Sequence, residues 1–172
     1  MTHEMSATHG SCSLITVSDS RISSTDASGD TIEQKLIGQG HLVSNRSIVP
    51  DDIDAIRNSV HDALGMNVER QFIISTGGSG IGVRDCTPEA FASFEQITLT
   101  GFGEIFRLYS ERELGPRAML SRATAGILLE DNRRVPFFIL PGSTHAVTLA
   151  MDACILPIIG HILDLCHAKE QA

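Results

Sequence analysis

The chain has few aromatic and few basic residues. Among its 172 residues there is no tryptophan and one tyrosine, Tyr109. Single-stranded nucleic acids bind largely by stacking bases on aromatic side chains, and such platforms are scarce here. Lysine and arginine number 13 against 21 aspartates and glutamates, a formal net charge of −8. Because nucleic acids and anionic membranes attract clustered positive charge, the composition argues against both as partners.

No apolar stretch is long enough to cross a bilayer. The most apolar one, residues 147–166, is interrupted by Asp152, Pro157, His161 and Asp164, whereas a spanning helix needs about 20 predominantly apolar residues. We expect this stretch to form a buried or interface helix. The four cysteines are scattered, without the close paired spacing of a zinc site. Reduced thiols in the cytoplasm are the expectation.

One domain accounts for the length, since a chain of this size can bury roughly 70 % of the surface that its unfolded form exposes. We predict a single domain over residues 13–168, a disordered N-terminal tail over residues 1–12 and a C-terminal tail over residues 169–172. The first twelve residues lack the apolar core of a signal peptide.

Short β-branched segments alternate with longer segments of helical periodicity, which is typical of a βαβ protein with a mainly parallel sheet. We predict strands over residues 14–17, 41–49, 71–76 and 135–140, short helices over 88–95, 103–113 and 117–124, and one long C-terminal helix. Ligands of such sheets bind beyond the carboxyl ends of the strands. Three polar loops fall there, at residues 18–21, 76–85 and 141–143, and one cleft could collect all three.

A glycine loop follows the third predicted strand and continues as TGGSGIGVRDCTPEA, residues 76–90. Gly77, Gly78 and Gly80 allow positive φ and let backbone N–H groups approach a ligand closely. Thr87 is expected to cap a short helix that has Pro88 at its first position. The loop therefore predicts a site for a phosphate-bearing ligand.

Two common nucleotide motifs do not fit this loop. A short-chain dehydrogenase turn has different glycine spacing and follows the first strand, and the tyrosine-lysine pair of that family is missing because Glu113 stands four residues after Tyr109. A P-loop needs Gly-Lys-Ser or Gly-Lys-Thr after its glycines, which this chain lacks.

Acidic residues at two predicted strand ends complete the pattern. Asp51 follows one strand and Asp85 follows the glycine loop. The two carboxylates could share a Mg²⁺ ion with phosphate oxygens and water, and Arg84 would offset phosphate charge. The arrangement favours phosphoryl or nucleotidyl transfer, in which positioning and charge neutralisation do most of the catalysis.

Further motifs extend the pattern along nearly the whole chain. They are TVSDSR (16–21), DASG (26–29), IVPDD (48–52), TGGSG (76–80), RDCTPEA (84–90), GFGE with FR (101–107), LSRA (120–123) and LPGS (140–143). In this order they resemble the family of molybdenum cofactor biosynthesis protein B and molybdopterin adenylyltransferase. The resemblance implies a three-layer αβα domain of the molybdopterin-binding type. Catalytic members transfer AMP from Mg-ATP to the terminal phosphate of molybdopterin and release pyrophosphate.

The resemblance also implies roles for single residues. Asp51 and Asp85 match the catalytic aspartates and are the expected magnesium ligands. The implied substrate- and phosphate-binding residues are Ser18, Asp19, Thr76, Gly77, Gly78, Ser79, Gly80, Ser110, Ser121 and Ser143. Ser79 stands where the family usually has threonine, and Ser143-Thr-His145 replaces the commoner Ser-Pro-Asn or Ser-Pro-Lys.

Two functions stay open at this stage. The chain is either a molybdopterin adenylyltransferase-like enzyme or a noncatalytic pterin- or nucleotide-binding carrier or regulatory protein of the same pathway, because DASG is more typical of the protein B branch. The implied partners are molybdopterin, ATP and copies of the same chain in a homotrimer or homohexamer. Phe102, Phe106 and Leu108 could be buried either between subunits or in the core of the single chain, and Arg122 could belong to a structural ion-pair framework or to a subunit contact.

Overall fold

The computed structural model of the protein describes residues 7–168. Its strands are β1 (Ser11–Val17), β2 (Leu42–Val49), β3 (Gln71–Thr76), β4 (Gln96–Thr98), β5 (Thr124–Glu130) and β6 (Arg133–Leu140). They form one sheet in the order β2-β1-β3-β6-β5-β4. The first four strands in this order are parallel, whereas β5 is antiparallel to both β6 and β4. The predicted mainly parallel sheet is confirmed.

The helices are α1 (Ala27–Gly38), α2 (Ile53–Gly65), α3 (Thr87–Phe91), α4 (Thr100–Leu114), α5 (Thr144–Leu149) and α6 (Ile159–His167). They cover both faces of the sheet, as alternation along β3 shows. Phe72 and Ile74 belong to one core cluster with α1, α4, α5 and α6, while Ile73 belongs to a second with α2 and α3. Since successive strand residues point to opposite faces, the three-layer αβα architecture follows.

Several predicted boundaries need correction. The N-terminal tail over residues 1–12 is too long, because Ser11 and Cys12 are buried in β1. Residues 1–6 of that tail, and the predicted C-terminal tail over 169–172, lie outside the described residues. The predicted helix over 117–124 is a 3-10 turn, Gly115–Leu120, and β5 begins at Thr124. The predicted helix over 88–95 ends at Phe91.

The apolar C-terminal stretch is not one helix. A π-helical segment, Ala150–Ile155, follows α5, and a bend of 57° separates it from α6. Met151, Ile155 and Leu163 are fully buried, which confirms a core position for the stretch. In residues 7–168 no single helix has the length and apolar content to cross a membrane, although the bent pair Thr144–Ile155 and Ile159–His167 passes on those two criteria together.

Candidate active site

The three predicted loops meet at the carboxyl ends of the parallel strands. They enclose an open cleft of about 450 Å³. Its lining residues are Val17, Ser18, Ser20, Arg21, Asp51, Gly77, Gly78, Ser79, Gly80, Asp85, Ser121, Pro141 and Gly142. The cleft therefore combines the loops after β1, β2, β3 and β6, with one further residue from the turn before β5.

Two glycines of the loop cannot be replaced without rearrangement. Gly77 has φ +101°, and a Cβ there would lie 2.1 Å from the carbonyl oxygen of Val17. Gly78 has φ +61°, and a Cβ there would lie 2.4 Å from Oγ1 of Thr87 and 3.0 Å from Oδ1 of Asp51. The missing side chains allow the loop to pack against β1 and α3 while its backbone lines the cleft.

The carbonyl groups of the glycine loop accept hydrogen bonds from Thr87 and Arg122. Thr87 donates from Oγ1 to the Gly77 oxygen at 2.9 Å and from its backbone N–H to the Gly78 oxygen at 3.0 Å. Arg122 donates from its backbone N–H to the Ser79 oxygen at 2.9 Å and from Nε to the Gly80 oxygen at 2.7 Å. Thr87 thus anchors the loop instead of capping α3, whose N-cap position is Cys86 with no side-chain cap.

This anchoring decides where the amide N–H groups point. In a planar trans peptide the carbonyl and the following N–H point in opposite directions. The N–H groups of Gly78, Ser79 and Gly80 therefore point away from Thr87 and Arg122, to which the preceding carbonyl groups are bonded. Within residues 7–168 these three N–H groups have no hydrogen-bond acceptor. Successive free amides of this kind form an anion-binding cradle.

The carboxylates of Asp51 and Asp85 lie close to the glycine loop, since a Cβ at Gly78 would be 3.0 Å from Asp51 Oδ1 and a Cβ at Gly80 would be 2.8 Å from Asp85 Oδ2. Asp85 Oδ2 accepts from the Gly82 N–H at 2.7 Å, which closes the turn after the glycine loop. Burial raises the pKa of Asp51, and the nearby negative charges of Asp19 and Asp85 raise it further against the opposing effect of Arg84. The site therefore has surplus negative charge beside an anion-binding loop.

These two residues fit a nucleotide-bound magnesium ion. Residues 7–168 contain no group of three His, Cys, Asp or Glu side chains that could hold a metal ion. Mg²⁺ on a nucleotide needs only one or two protein carboxylates, because phosphate oxygens and water complete its shell. The surplus charge that raises the pKa of Asp51 is also what a divalent cation would offset. The metal role of both aspartates stays a prediction.

Arg21 is the only cationic side chain among the described residues that line the cleft. Its Nη2 donates to the carbonyl oxygen of Gly142 at 2.7 Å, and Ser28 donates to the same oxygen at 2.7 Å. Below it, the buried Asp26 accepts from Thr16 Oγ1 at 2.7 Å and from Arg46 Nη2 at 2.9 Å. This network ties the loop after β1 to the loop after β6.

Eight of the predicted site residues line the cleft: Ser18, Gly77, Gly78, Ser79, Gly80, Asp51, Asp85 and Ser121. Four do not. Asp19 pairs with Arg84 at 2.8 Å and accepts from the Asp51 N–H at 3.1 Å. Thr76 is buried and donates to the Pro141 oxygen at 2.9 Å. Arg84, predicted to face phosphate, is thus turned toward Asp19 and does not line the cleft.

The remaining two, Ser110 and Ser143, line a neighbouring cavity of about 150 Å³ that shares Ser121 and Pro141 with the cleft. Ser110 donates to the Phe106 oxygen at 2.8 Å, and Ser143 caps α5 by accepting from the Ala146 N–H at 3.2 Å. Apolar side chains of Phe106, Leu114, Ala118 and Leu149 form most of its wall. His145 and Glu113, which also line this cavity, are joined by a hydrogen bond between Nε2 of the histidine and Oε2 of the glutamate.

The motifs do not single out Arg21 or Gly142 as site residues, and Arg122 is expected only in an ion-pair framework or a subunit contact, of which its pair with Glu89 confirms the framework. Arg21 and Gly142 were within loops predicted to reach the cleft, so loop position was an available signal for them. Arg122 acts on Gly80, which is 42 residues away in the chain. Only the tertiary fold brings these two together.

Known proteins support the same family throughout. A family model described as probable molybdopterin binding domain matches residues 13–161. The chain is similar to molybdenum cofactor biosynthesis protein B of Bacillus cereus, with 41 % identity over 160 residues, 92 % of this chain and 91 % of the relative. It is also similar to the protein of the same name in Halalkalibacterium halodurans, with 40 % identity over 153 residues, which cover 88 % of this chain and 87 % of the relative.

Solved structures agree. A crystal structure of molybdenum cofactor biosynthesis protein B matches with a TM-score of 0.86 at 37 % identity, over 95 % of this chain and 99 % of that one. The crystal structure of the tungsten cofactor synthesizing protein MoaB from Pyrococcus furiosus matches with a TM-score of 0.82 at 34 % identity, over 92 % of this chain and 97 % of that one.

Proposed function

The chain belongs to the molybdopterin-binding domain family of molybdenum cofactor biosynthesis protein B, and from this premise we propose that it is a molybdopterin adenylyltransferase. It binds molybdopterin and transfers AMP from Mg-ATP to the terminal phosphate of the pterin. The observation that carries the proposal is the juxtaposition of three free N–H groups, on Gly78, Ser79 and Gly80, with the carboxylates of Asp51 and Asp85 in one cleft.

Each part of the cleft has a task in this reaction. The free N–H groups of the glycine loop and the guanidinium of Arg21 bind phosphate oxygens, since both supply donors and positive potential. The apolar cavity next to Ser121 and Pro141 suits the flat ring of the pterin, because its wall is mainly aliphatic and aromatic. The ligand then spans two adjoining cavities, with its ring in one and its phosphate in the other.

The transfer needs no protein nucleophile. An oxygen of the terminal phosphate of molybdopterin forms a bond to the α-phosphorus of ATP, and the bond from that phosphorus to the bridging oxygen breaks. Pyrophosphate leaves with the electron pair. Asp51 and Asp85 would hold the magnesium ion, which would supply positive charge to neutralise the phosphate oxygens. The glycine loop and Arg21 hold the two phosphate groups in line for the displacement.

Replacement of Asp85 by asparagine tests the proposal. The pure protein is incubated with molybdopterin, ATP and Mg²⁺, and adenylylated pterin and pyrophosphate are measured. We expect Asp85→Asn to fold and bind pterin but to lose turnover by orders of magnitude. Asp62→Asn, an exposed aspartate on α2, is the matched control and should keep full turnover. Saturable pterin binding by the wild type without product would contradict the enzyme and support the noncatalytic carrier.

We further propose that the chain assembles as a homotrimer or homohexamer, as the resemblance implies. Phe102 and Phe106 are buried in the core of the single chain and so cannot form the contact, but Leu108, on the same helix, is 62 % exposed. Met119, on the following turn, is 74 % exposed. Light scattering of the pure protein measures the assembly, and a monomer at micromolar concentration would contradict it.

A further inference from the structure

Asp51 lies where the sheet gives the backbone of the cleft its weakest support. β2, the strand that leads to it, is at the edge of the sheet and ends at Val49. Pro50 has no N–H group, and Asp52 is already the N-cap residue of α2. Among residues 7–168 the backbone N–H and C=O of Asp51 therefore take part in no hydrogen bond to another backbone group. Such groups are satisfied by side chains or by water.

Two side chains from other loops supply both partners. Oδ1 of Asp19 accepts from the Asp51 N–H at 3.1 Å, and Nη2 of Arg84 donates to the Asp51 carbonyl oxygen at 3.2 Å. The same Nη2 of Arg84 lies 2.8 Å from Oδ2 of Asp19. The three residues thus form a closed ring of contacts that holds the Asp51 backbone at both of its polar groups. We call this ring the Asp51 clamp.

The Asp51 clamp joins three neighbouring loops of the sheet. Asp19 follows β1, Asp51 follows β2 and Arg84 follows β3, and β1 lies between the other two strands. The carboxylate of the clamped residue reaches the glycine loop, because a Cβ at Gly78 would be 3.0 Å from Asp51 Oδ1. Any movement of the Asp51 backbone would therefore change the distance between its carboxylate and the free amides of that loop.

We propose that Asp19 and Arg84 are positioning residues, which fix the Asp51 backbone so that its carboxylate faces the place of a nucleotide-bound magnesium ion; this rests on the function proposed for the cleft. Neither side chain lines the cleft. Arg84 is committed to Asp19 and to the Asp51 carbonyl, and not to phosphate. Their side chains are 47 % and 67 % exposed, and an exposed ion pair adds little to stability. The clamp therefore serves the geometry of the site more than the stability of the fold.

Two variants of Asp19 isolate the hydrogen bond from the charge. Asp19→Asn and Asp19→Ala remove the same negative charge, but asparagine keeps an oxygen that accepts from the Asp51 N–H. In the ¹⁵N-labelled, ligand-free protein, the Asp51 amide proton should exchange with water about tenfold faster in Asp19→Ala than in Asp19→Asn. The Asp52 N–H, which donates to the Pro50 oxygen at 2.8 Å, is the internal control and should exchange alike in both.

The same pair of variants tests the effect on the reaction. We expect kcat for adenylylation, and the affinity for Mg-ATP measured by calorimetry, to be about tenfold lower in Asp19→Ala than in Asp19→Asn. If Arg84 instead serves to bind phosphate, its release in Asp19→Ala would strengthen Mg-ATP binding and leave kcat unchanged, which would overturn the proposal. Asp62→Ala, at an exposed position on α2, is the control for loss of one carboxylate.

Arg84 variants test the other half of the Asp51 clamp. Arg84→Ala should lower kcat about tenfold, and Arg84→Lys should restore part of it, because an ammonium group can still donate to the Asp51 carbonyl. Equal Asp51 exchange rates in Asp19→Ala and Asp19→Asn would refute the clamp, and equal kcat in the two would refute its role in turnover. A wild type that forms no product would contradict the adenylyltransferase instead, and Asp51 exchange with Mg-ATP affinity would still decide the clamp.

Discussion

Arg122 donates from Nε to the carbonyl oxygen of Gly80 at 2.7 Å. The same guanidinium reaches the carbonyl oxygen of Asp85 at 3.0 Å and the carboxylate of Glu89. One side chain therefore holds the glycine loop, the turn after it and the start of α3 in place. Because the bonded carbonyls point toward Arg122, the amides of the loop are preorganised for an anion before any ligand arrives.

Arg122→Ala should loosen this loop. We expect a loss of about 1–3 kcal/mol in the free energy of unfolding, since the Gly80 and Asp85 carbonyls lose a charged donor. The affinity for a phosphate-bearing pterin should fall about tenfold. Urea denaturation and calorimetric titration measure the two effects. Arg112→Ala is the control for loss of one exposed arginine, and equal pterin affinity in the two variants would contradict the role of Arg122.

The parts that sequence predicts well are those with local causes. The strand over residues 71–76 has the predicted bounds, because β-branched and aromatic residues precede a glycine loop that must leave the sheet. Asp52 caps α2 by accepting from the Ala55 N–H at 2.9 Å, as an aspartate before a helix is expected to. Once the sheet is parallel, the meeting of the loops at its carboxyl end follows from topology.

The parts that sequence misses depend on distant contacts. β5 contains Gly126, a residue that weakens the strand pattern, yet Gly126 pairs with Phe137 and a Cβ there would lie 2.6 Å from that ring. Arg84 follows the phosphate loop in sequence and still turns to Asp19. In each case a tertiary neighbour decides the role.

Asp51→Asn should separate stability from catalysis. Burial, Asp19 and Asp85 raise the folded-state pKa of Asp51 above its ordinary value of 3.8. The folded state thus binds the proton more tightly, so ionisation of Asp51 costs stability above the folded-state pKa and costs none below 3.8. At pH 7 the asparagine variant should therefore melt at the same or a higher temperature than wild type, while its adenylylation falls by orders of magnitude.

Thermal denaturation at pH 7 and at pH 3.5 checks this, since the difference from wild type should shrink in acid. Asp52→Asn is the matched control: asparagine caps a helix as well as aspartate, so neither melting nor turnover should change much. A marked fall in melting temperature for Asp51→Asn at pH 7 would show that the carboxylate stabilises the fold instead.

Asp26 has the opposite dependence on pH. Burial would raise the pKa of this carboxyl, but hydrogen bonds from Thr16, Gly29 and Arg46 outweigh it and lower the pKa below 3.8. Its stabilisation is complete above the unfolded-state pKa and is lost as pH falls through the folded-state pKa. Asp26→Ala removes one partner of a buried ion pair with Arg46, so we expect a loss of about 3 kcal/mol at pH 7.

Urea denaturation at pH 7 and pH 3 measures this loss, which should be smaller at the lower pH. Asp30→Ala is the matched control, because Asp30 pairs with the same Arg46 at 2.7 Å but its side chain is 51 % exposed. Exposed pairs contribute about 0–1 kcal/mol. Equal losses for the two variants would argue against the buried network that holds Arg21 beside the cleft.

Gly78→Ala tests the glycine loop itself. A side chain at φ +61°, with its Cβ 2.4 Å from Oγ1 of Thr87, must displace either the loop or α3. We expect a loss of about 1–3 kcal/mol in the free energy of unfolding and at least a tenfold fall in affinity for a phosphate-bearing pterin, because the amides of Ser79 and Gly80 move with the loop.

Gly101→Ala is the matched control, since a Cβ at Gly101 in α4 meets no atom within 4 Å. Alanine there should stabilise the helix by up to about 1 kcal/mol and leave pterin binding unchanged. Calorimetric titration of both variants decides: wild-type affinity in Gly78→Ala would mean that phosphate is bound elsewhere than on this loop.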